Sequence, residues 1–306
     1  MNYSIIIPHL NSSKLLKRLL DSIPQNDHFQ IIVVDDGSVE DEYASVKALQ
    51  QNYFFELYGN EGKTAGGARN TGLKHALGRW VLFADADDYY EPGLETAIGK
   101  YVNSDYDIVF FDVISRYSDS GKIGFRSGHV NQLIQRVKGG DSFDYLRCCF
   151  TSPWSKLIRR SLIEEHLIRF EETIVGNDMM FSVRSGLSAK NVTFDEHQLY
   201  CITIGGGSLT NVFNKERFEA RLNVLVRLNN YLRSQGKSKY QASVLRYIAE
   251  APRYGFSFCL RMWWLCIKNK SNPFIGLEKI LKIPKLIKEE KIRKQLTDDK
   301  VNKHYA

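Results

Sequence analysis

Three carboxylates stand close together in the stretch VLFADADDYYEP, residues 81–92: Asp85, Asp87 and Asp88. Like charges this close repel one another, so the cluster needs a positive partner. A D-x-D step on an extended chain turns both side chains to the same side, because the side-chain period of a strand is two residues. Two carboxylates that face one point form a hard-oxygen site for Mg²⁺ or Mn²⁺. We therefore predict that Asp85 and Asp87 hold a divalent cation that also carries a substrate diphosphate.

Asp88 has a structural alternative. An aspartate at the end of a strand is commonly a turn former or a helix N-cap. Asp88 directly precedes YYEPG, which has the composition of a turn. The sequence leaves its role open between the turn and the acidic cluster.

Strand and helix signals alternate along the first ninety residues. The predicted strands span 3–8, 29–38, 53–59 and 79–88, and the predicted helices span 12–23, 39–52 and 66–77. Apolar strands alternating with helices are typical of an α/β fold with a mostly parallel sheet covered on both faces. Ligands bind beyond the carboxyl ends of such strands. Pro8, Asp35–Asp36 and Asp85–Asp88 fall at these ends, so we expect three polar sites at one edge.

The rest of the chain is more mixed. Further strands are predicted over 106–118 and 192–204, a turn and helix over 152–166, and a helix over 177–190. From about Asn214 a stripe of apolar residues recurs at helical spacing. We place a domain boundary near residue 211.

Composition narrows the class of protein. The chain has 306 residues, 43% of them hydrophobic and 25% charged, so it can bury a core and is not a disordered protein. Its five cysteines are an odd number without CxxC spacing, which argues against zinc ribbons and disulfide frameworks and favours free thiols in the cytoplasm. We find neither a secretory leader at the N-terminus nor an apolar run long enough to span a membrane.

The positive charge is concentrated near the C-terminus. Residues 268–306 hold eleven Lys and Arg against five acids, out of a net charge of +7 for the chain. A basic tail favours an anionic surface. Trp263 and Trp264 precede it, and such a stretch can lie in a membrane interface. The alternative is a helix packed on the catalytic domain. The remainder shows no nucleic-acid footprint.

Five motifs occur in order: YSIIIPHLN, IIVVDDGS, GGARNTGL, FADADD and NDMMF. Together they resemble the motif series of the family 2 glycosyltransferases, which are inverting, nucleotide-sugar-dependent enzymes of the Rossmann-like GT-A fold. The segments SPWSKLIRRSLI, IRFEETIVGND and GGGSLT are similar to bacterial surface-polysaccharide members. The resemblance implies a GT-A domain over 1–210, with a nucleotide-sugar half (1–100) and an acceptor and base half (101–210). Residues 211–306 would form a helical C-terminal region.

The resemblance also implies roles for individual residues. Pro8 would lie beside the uracil through its backbone. Asp36 would accept a hydrogen bond from the uracil N3–H, which suits a carboxylate because it only accepts. Asp35 would shape the turn or reach the ribose. Asp85 would act on the ribose or metal side, and Asp87 would bind the metal directly.

Two further residues complete the implied site. Arg69 begins the helix that closes this side of the pocket, and its alternative is an ordinary surface ion pair. Asp178 would be the general base that takes the proton of the acceptor hydroxyl. Its structural alternative is a charge at a helix N-terminus favoured by the helix dipole, and both roles can hold together.

Several positions depart from the family pattern. Leu10 stands where an aromatic residue is usual, and Asn177 replaces the usual Glu before the base. The strand CITIGGG lacks the arginines often found there, so a phosphate contact is missing or supplied elsewhere. His9 lacks ligand spacing and is interpreted as a surface or packing residue. For Trp154 we favour core packing over lining the acceptor side.

The sequence therefore predicts a cytoplasmic, metal-dependent transferase on the inner face of the membrane. It would move a hexose or N-acetylhexosamine from a UDP-sugar to a glycan or lipid-linked glycan acceptor. One alternative is a nucleotide-sugar-binding protein without turnover. A nucleotidyltransferase is less favoured, because PHLNSSK after the first strand lacks the glycine-rich phosphate loop expected there.

Overall fold

The computed structural model describes residues 1–205, 214–275 and 277. The chain divides into two compact units, one up to Val224 and one from Leu225 onwards. The predicted boundary near residue 211 and most of the basic tail (268–306) lie outside the described residues.

The N-terminal half of the first unit alternates strand and helix. Its elements are β1 (Tyr3–His9), α1 (Ser13–Asp21), β2 (Phe29–Asp35), α2 (Glu40–Leu49), β3 (Glu56–Gly59), α3 (Thr64–His75) and β4 (Trp80–Phe83). Every residue of β1, β2 and β4 is buried, as expected for strands covered on both faces. The strand β1 pairs in parallel with β2 and β4, and β2 pairs in parallel with β3.

The second half of this unit adds strands of both directions. Its elements are β5 (Tyr89–Tyr90), α4 (Leu94–Gly99), β6 (Ile108–Tyr117), α5 (Gly128–Lys138), α6 (Asp144–Cys149), β7 (Lys156–Arg159), α7 (Arg160–Glu165), α8 (Met179–Ser188) and β8 (Val192–Ile204). The described strands form one sheet in the order β3-β2-β1-β4-β7-β6-β8-β5. The strand β7 is antiparallel to β4 and β6, whereas β6 and β8 are parallel. The predicted mixed, mostly parallel α/β sheet is confirmed.

One predicted element is wrong. The segment 152–166 was expected to be a turn and helix, but it contains the strand β7 before α7. Lys156, Leu157 and Ile158 are buried between β4 and β6. A four-residue strand is too short to show a period of its own, so only pairing with its neighbours defines it.

The helix α3 lies very close to its neighbours. A Cβ on Gly72 would overlap the side chain of Ile6 in β1, and a Cβ on Gly66 would overlap the carbonyl oxygen of Glu171. Gly66 lets the start of α3 approach the segment before α8, and Gly72 lets the helix pack closely on β1. The side chains of α3 can therefore reach both β4 and α8.

The second unit is helical in its described residues. Its elements are the C-terminal part of α9 (Lys215–Ser234), α10 (Leu245–Glu250) and α11 (Phe256–Lys268), with short 3₁₀ turns at Ser238–Tyr240 and Ala251–Tyr254. This confirms the helical pattern predicted from about Asn214. Within the described ranges, no helix has both the length and the apolar character needed to cross a bilayer.

Candidate active site

Asp35 organises the turn after β2. Its Oδ1 accepts hydrogen bonds from Nδ1 of His9 (3.0 Å) and the hydroxyl of Ser38 (2.5 Å), and its Oδ2 accepts the backbone N–H groups of Gly37 and Ser38. The Nε2 of His9 accepts the N–H of Ser12 (3.1 Å), so His9 is the neutral tautomer protonated at Nδ1. Burial alone would raise the pKa of Asp35, but the bonds from Ser38 and His9 outweigh it and hold this pKa below its ordinary value. The carboxylate of Asp35 is thus engaged in hydrogen bonds that hold the turn.

Asp36 is the more accessible acid of the pair. The side-chain amide of Asn60 donates to Oδ1 of Asp36 (2.5 Å) and to the carbonyl of Thr64 (3.1 Å). No described residue donates to the Oδ2 of Asp36, and the residue is partly exposed. Pro8 lies at the same edge, opposite Val34. Asp36 therefore keeps an oxygen that can accept a hydrogen bond from a ligand.

The second acid group lies in a tight turn. The strand β4 ends at Phe83, and the N–H of Asp88 donates to the carbonyl of Asp85 (3.0 Å). One carboxylate oxygen from each of Asp85, Asp87 and Asp88 lies within 4.8 Å of the others. The expectation of an extended D-x-D step is wrong, because the turn, rather than a strand period, brings the acids together.

The three acids differ in their partners. Asp88 is buried, and its Oδ1 accepts the N–H of Thr203 in β8 (2.7 Å). Burial, and then the nearby Asp87 and Asp85, raise the pKa of Asp88 well above its ordinary value. Asp88 therefore joins the acid turn to β8, a contact that neither the turn nor the helix N-cap alternative predicted.

Asp87 has the least engaged carboxylate of the cluster. Its carbonyl oxygen accepts hydrogen bonds from Arg18 and from the hydroxyl of Thr203, both at 2.5 Å. Among the described residues, none other than Asp87 itself donates a hydrogen bond to its carboxylate. Burial and the neighbouring Asp85 raise the pKa of Asp87. A bound cation would relieve both effects, so the geometry fits a divalent metal.

Tyr200 in β8 positions the acid turn. Its hydroxyl accepts the N–H of Asp85 (2.8 Å), and its ring stacks on Trp154 with centroids 5.6 Å apart. Both aromatic residues are buried, which confirms that Trp154 packs in the core. Sequence reasoning missed Tyr200, because 115 positions separate it from Asp85 and no motif marks it.

Arg69 joins the two sides of the site. Its guanidinium donates to Oδ1 of Asp85 (2.5 Å) and to Oδ1 of Asn177 (2.9 Å), and it lies 5.4 Å from the ring centroid of Phe170. Only 5% of Arg69 is exposed, so the alternative of an ordinary surface ion pair is wrong. The contact links the end of β4 to the loop before α8.

Asp178 immediately precedes α8, where the helix dipole favours a negative charge. Its side chain makes no capping hydrogen bond, so the carboxylate is not used to start the helix. Burial raises the pKa of Asp178, the charge of Arg69 lowers it and the charge of Asp85 raises it. Asp178 therefore lies within electrostatic reach of the same residues that hold the acid turn.

Comparison with known proteins identifies the family. Residues 4–167 match the family model described as Glycosyl transferase family 2, and these residues are more than half of the chain. The chain belongs to this family.

The curated relatives of this family member are distant. It is 26% identical to the putative glycosyltransferase EpsH of Bacillus subtilis over 72% of this chain and 65% of that protein. It is 25% identical to the poly(ribitol-phosphate) beta-N-acetylglucosaminyltransferase TarS of Staphylococcus aureus over 65% of this chain and 35% of that protein. The chain thus spans less than two thirds of the length of either relative.

Solved structures share the fold of this chain. Staphylococcus aureus TarS (residues 1–349) in complex with UDP-GlcNAc has a TM-score of 0.62 at 22% identity, over 84% of this chain and 75% of that one. The mannosyltransferase PcManGT of Pyrobaculum calidifontis in complex with GDP-Man and Mn²⁺ has a TM-score of 0.56 at 16% identity, over 97% and 84%. These similarities confirm the GT-A fold.

The first unit of this chain also buries a lysine that sequence reasoning missed. Lys156 in β7 is 2% exposed, and its Nζ donates to the carbonyl oxygen of Phe150 (2.6 Å). Burial lowers the pKa of Lys156 to about 7, while the charge of Asp178 acts to raise it. Because 152–166 was assigned to a turn and helix, nothing in the sequence placed this ammonium group in the core.

Proposed function

We propose that this chain is an inverting glycosyltransferase that uses a UDP-sugar. It would transfer a hexose or N-acetylhexosamine to a cell-surface glycan, in capsule, lipopolysaccharide or exopolysaccharide synthesis. The observation that carries the proposal is the Arg69 bridge, because it holds the metal-side acid Asp85 beside the loop that presents Asp178. A donor-binding group and a base on one pocket are what a single displacement at the anomeric carbon requires.

The donor would be held on the nucleotide side. The accessible oxygen of Asp36 would accept the uracil N3–H, next to the backbone of Pro8. Asp87, with Asp85, would hold Mn²⁺ or Mg²⁺, and the bound ion would stabilise the leaving diphosphate. TarS, which shares the fold, was solved with UDP-GlcNAc, and this supports a UDP-sugar as the donor.

Asp178 would act on the acceptor side. The acceptor hydroxyl oxygen forms a bond to the anomeric carbon as the bond from that carbon to the diphosphate breaks, so UDP leaves with inversion. The hydroxyl proton passes to the carboxylate of Asp178. Burial raises the pKa of this carboxyl, which makes it a stronger base than an exposed aspartate.

The acceptor would be a growing glycan, free or linked to a lipid. A lipid-linked acceptor would place the enzyme on the inner face of the cytoplasmic membrane, with an anionic membrane surface as its partner. No nucleic acid takes part in this proposal.

The metal site can be tested by UDP titration calorimetry. With Mn²⁺ present, Asp87→Ala should lower UDP affinity to the level that wild type shows in EDTA, because Asp87 would hold the cation that supplies positive charge to the diphosphate. The matched control is Asp27→Ala, which removes an exposed carboxylate outside the cluster and should bind UDP like wild type. UDP affinity that is unchanged by both EDTA and Asp87→Ala would contradict the metal site.

A panel of nucleotide sugars, assayed for hydrolysis with and without Mn²⁺, would then identify the donor and distinguish an enzyme from a binding protein.

A further inference from the structure

An exposed apolar stripe runs along α11 in the second unit. It consists of Phe256, Leu260, Trp264 and Ile267, which are 79%, 54%, 57% and 69% exposed. At 3.6 residues per turn these positions fall within an arc of about 80°. Trp263, which the sequence analysis grouped with Trp264, is only partly exposed. Of these two tryptophans, only Trp264 belongs to the stripe.

The opposite side of α11 is also apolar. Phe258, Met262 and Cys266 are buried there. A helix on the surface of a globular protein normally turns polar residues outward. Four large apolar side chains aligned on the outer side instead mark a contact surface.

Positive charge borders the stripe. Residues 251–275 contain four basic residues and no Asp or Glu. Arg253, Arg261, Lys268 and Lys270 are all exposed. The ammonium group of Lys268 lies 4.9 Å from the ring centroid of Trp264, so cation and aromatic side chain share one surface. The partner of this surface must therefore be both apolar and anionic.

The charge of each possible partner decides which one fits the basic border of the stripe. A second copy of the chain would bring two positive borders together, which is repulsive. The segment after residue 277 carries nine Lys and Arg against five acids, so it is also a poor electrostatic match. A nucleic acid would leave the apolar stripe without a partner. An anionic bilayer offers acyl chains to the stripe and phosphates to the basic border.

We propose that the stripe of α11 docks on the surface of an anionic phospholipid bilayer. Leu260 and Ile267 would enter the boundary between headgroups and acyl chains, with Trp264 at headgroup level. The four basic residues would contact lipid phosphates. This docking would keep the enzyme on the surface that carries a lipid-linked acceptor, and that consequence alone rests on the proposed function.

Vesicle binding by the full chain tests this surface. Wild type should co-sediment with vesicles of phosphatidylcholine plus phosphatidylglycerol, and much less with phosphatidylcholine alone. Leu260→Glu and Trp264→Glu should each weaken binding roughly tenfold or more, because a carboxylate replaces apolar contact and is repelled by the lipid. The matched control is Phe54→Glu, which makes the same type of change at an 84% exposed aromatic residue of the first unit and should bind like wild type.

A second measurement needs no destabilising variant. Brominated lipids should quench tryptophan emission of the wild type more strongly than that of Trp264→Phe, because Trp80 and Trp154 are buried and Trp263 is only partly exposed. Unchanged binding of both stripe variants, or absence of quenching in the wild type, would overturn the proposal. So would a wild-type dimer in solution that Leu260→Glu converts to a monomer, because the stripe would then belong to a second copy. UDP binding with Mn²⁺ is measured on every variant, and its retention separates failure at the lipid surface from failure of the proposed function.

Discussion

Asp178 shows how the surroundings of one residue set its chemistry. Its carboxyl lies under opposing influences, since burial and Asp85 disfavour the charged form and Arg69 favours it. The net result is a raised pKa. A raised pKa makes the carboxylate a stronger base, but it also means that the carboxylate becomes protonated at a higher pH as the solution is acidified. Activity that depends on Asp178 should therefore decline on the acidic side at a higher pH than an exposed aspartate would impose.

Asp178→Asn should lower the transfer rate by about 10²- to 10⁴-fold, because asparagine keeps the size of the side chain but cannot accept the proton. The acidic decline in the rate should also disappear from the residual activity. Donor affinity should survive, since UDP contacts Asp36 and the acid turn in the proposed mode. The measurements are the pH profile of transfer and UDP-sugar affinity on the same preparation.

Two results would contradict the base. Near-normal transfer by Asp178→Asn would remove Asp178 from the mechanism. Joint loss of transfer and donor affinity would instead show that the residue supports the start of α8.

The helix α3 shows what a whole element must do for the site. Arg69 can bridge Asp85 and Asn177 only because the first turn of α3 approaches the segment that precedes α8. Gly66 permits this approach, since any Cβ there would overlap the carbonyl oxygen of Glu171. Backbone cannot move aside as readily as a flexible side chain can.

Gly66→Ala should therefore displace α3 and cost about 1–3 kcal/mol of unfolding free energy, the usual range for overpacking. Transfer should fall with it, because the Arg69 bridge is disturbed. The control is Gly99→Ala at the end of α4, where an added Cβ meets nothing within 4 Å. Urea unfolding and transfer assays of both variants make the comparison, and equal stability of the two would contradict the close approach.

At the scale of the whole molecule, a buried ammonium group links stability to pH. The folded-state pKa of Lys156 is lowered from 10.5 to about 7, mainly by burial. Between these values the unfolded chain keeps the proton that the folded chain has lost. The cost of burying Lys156 is complete below about pH 7 and is progressively relieved as the pH rises toward 10.5.

Lys156→Met keeps an unbranched side chain, one atom shorter, without the charge. At pH 7 the variant should be more stable than wild type, and wild type should recover roughly 1 kcal/mol per pH unit relative to the variant on going to pH 9. Urea unfolding at both pH values measures the difference between the two proteins, so other titrating groups largely cancel. A stability difference that does not change from pH 7 to pH 9 would contradict the assigned pKa.

Local pattern was enough to predict most elements of the first unit. Continuous apolar runs identified β1, β2 and β4, and helical spacing identified α1. These patterns are local, because burial of one or both faces of an element requires apolar residues at fixed spacings within it. The same pattern placed Asp35–Asp36 and the acid cluster at one edge of a mostly parallel sheet. The carboxylate pair predicted a metal role for Asp85 and Asp87, and the family resemblance supplied the role of Asp178 as a base. These roles remain predictions.

The tertiary structure decided which polar groups are engaged and which remain available. The short strand β7, the burial of Lys156, and the hydrogen bond from Asp85 to Tyr200 all depend on segments far apart in the chain. The three acids come together through a turn that hydrophobic periodicity does not predict. Arg69 donates a hydrogen bond to Asn177, which lies 108 positions further along the chain. A sequence pattern records whether a residue prefers water or the core. The identity of its partner depends on the packing of distant elements, and that packing sets the charge, pKa and availability of each group in the site.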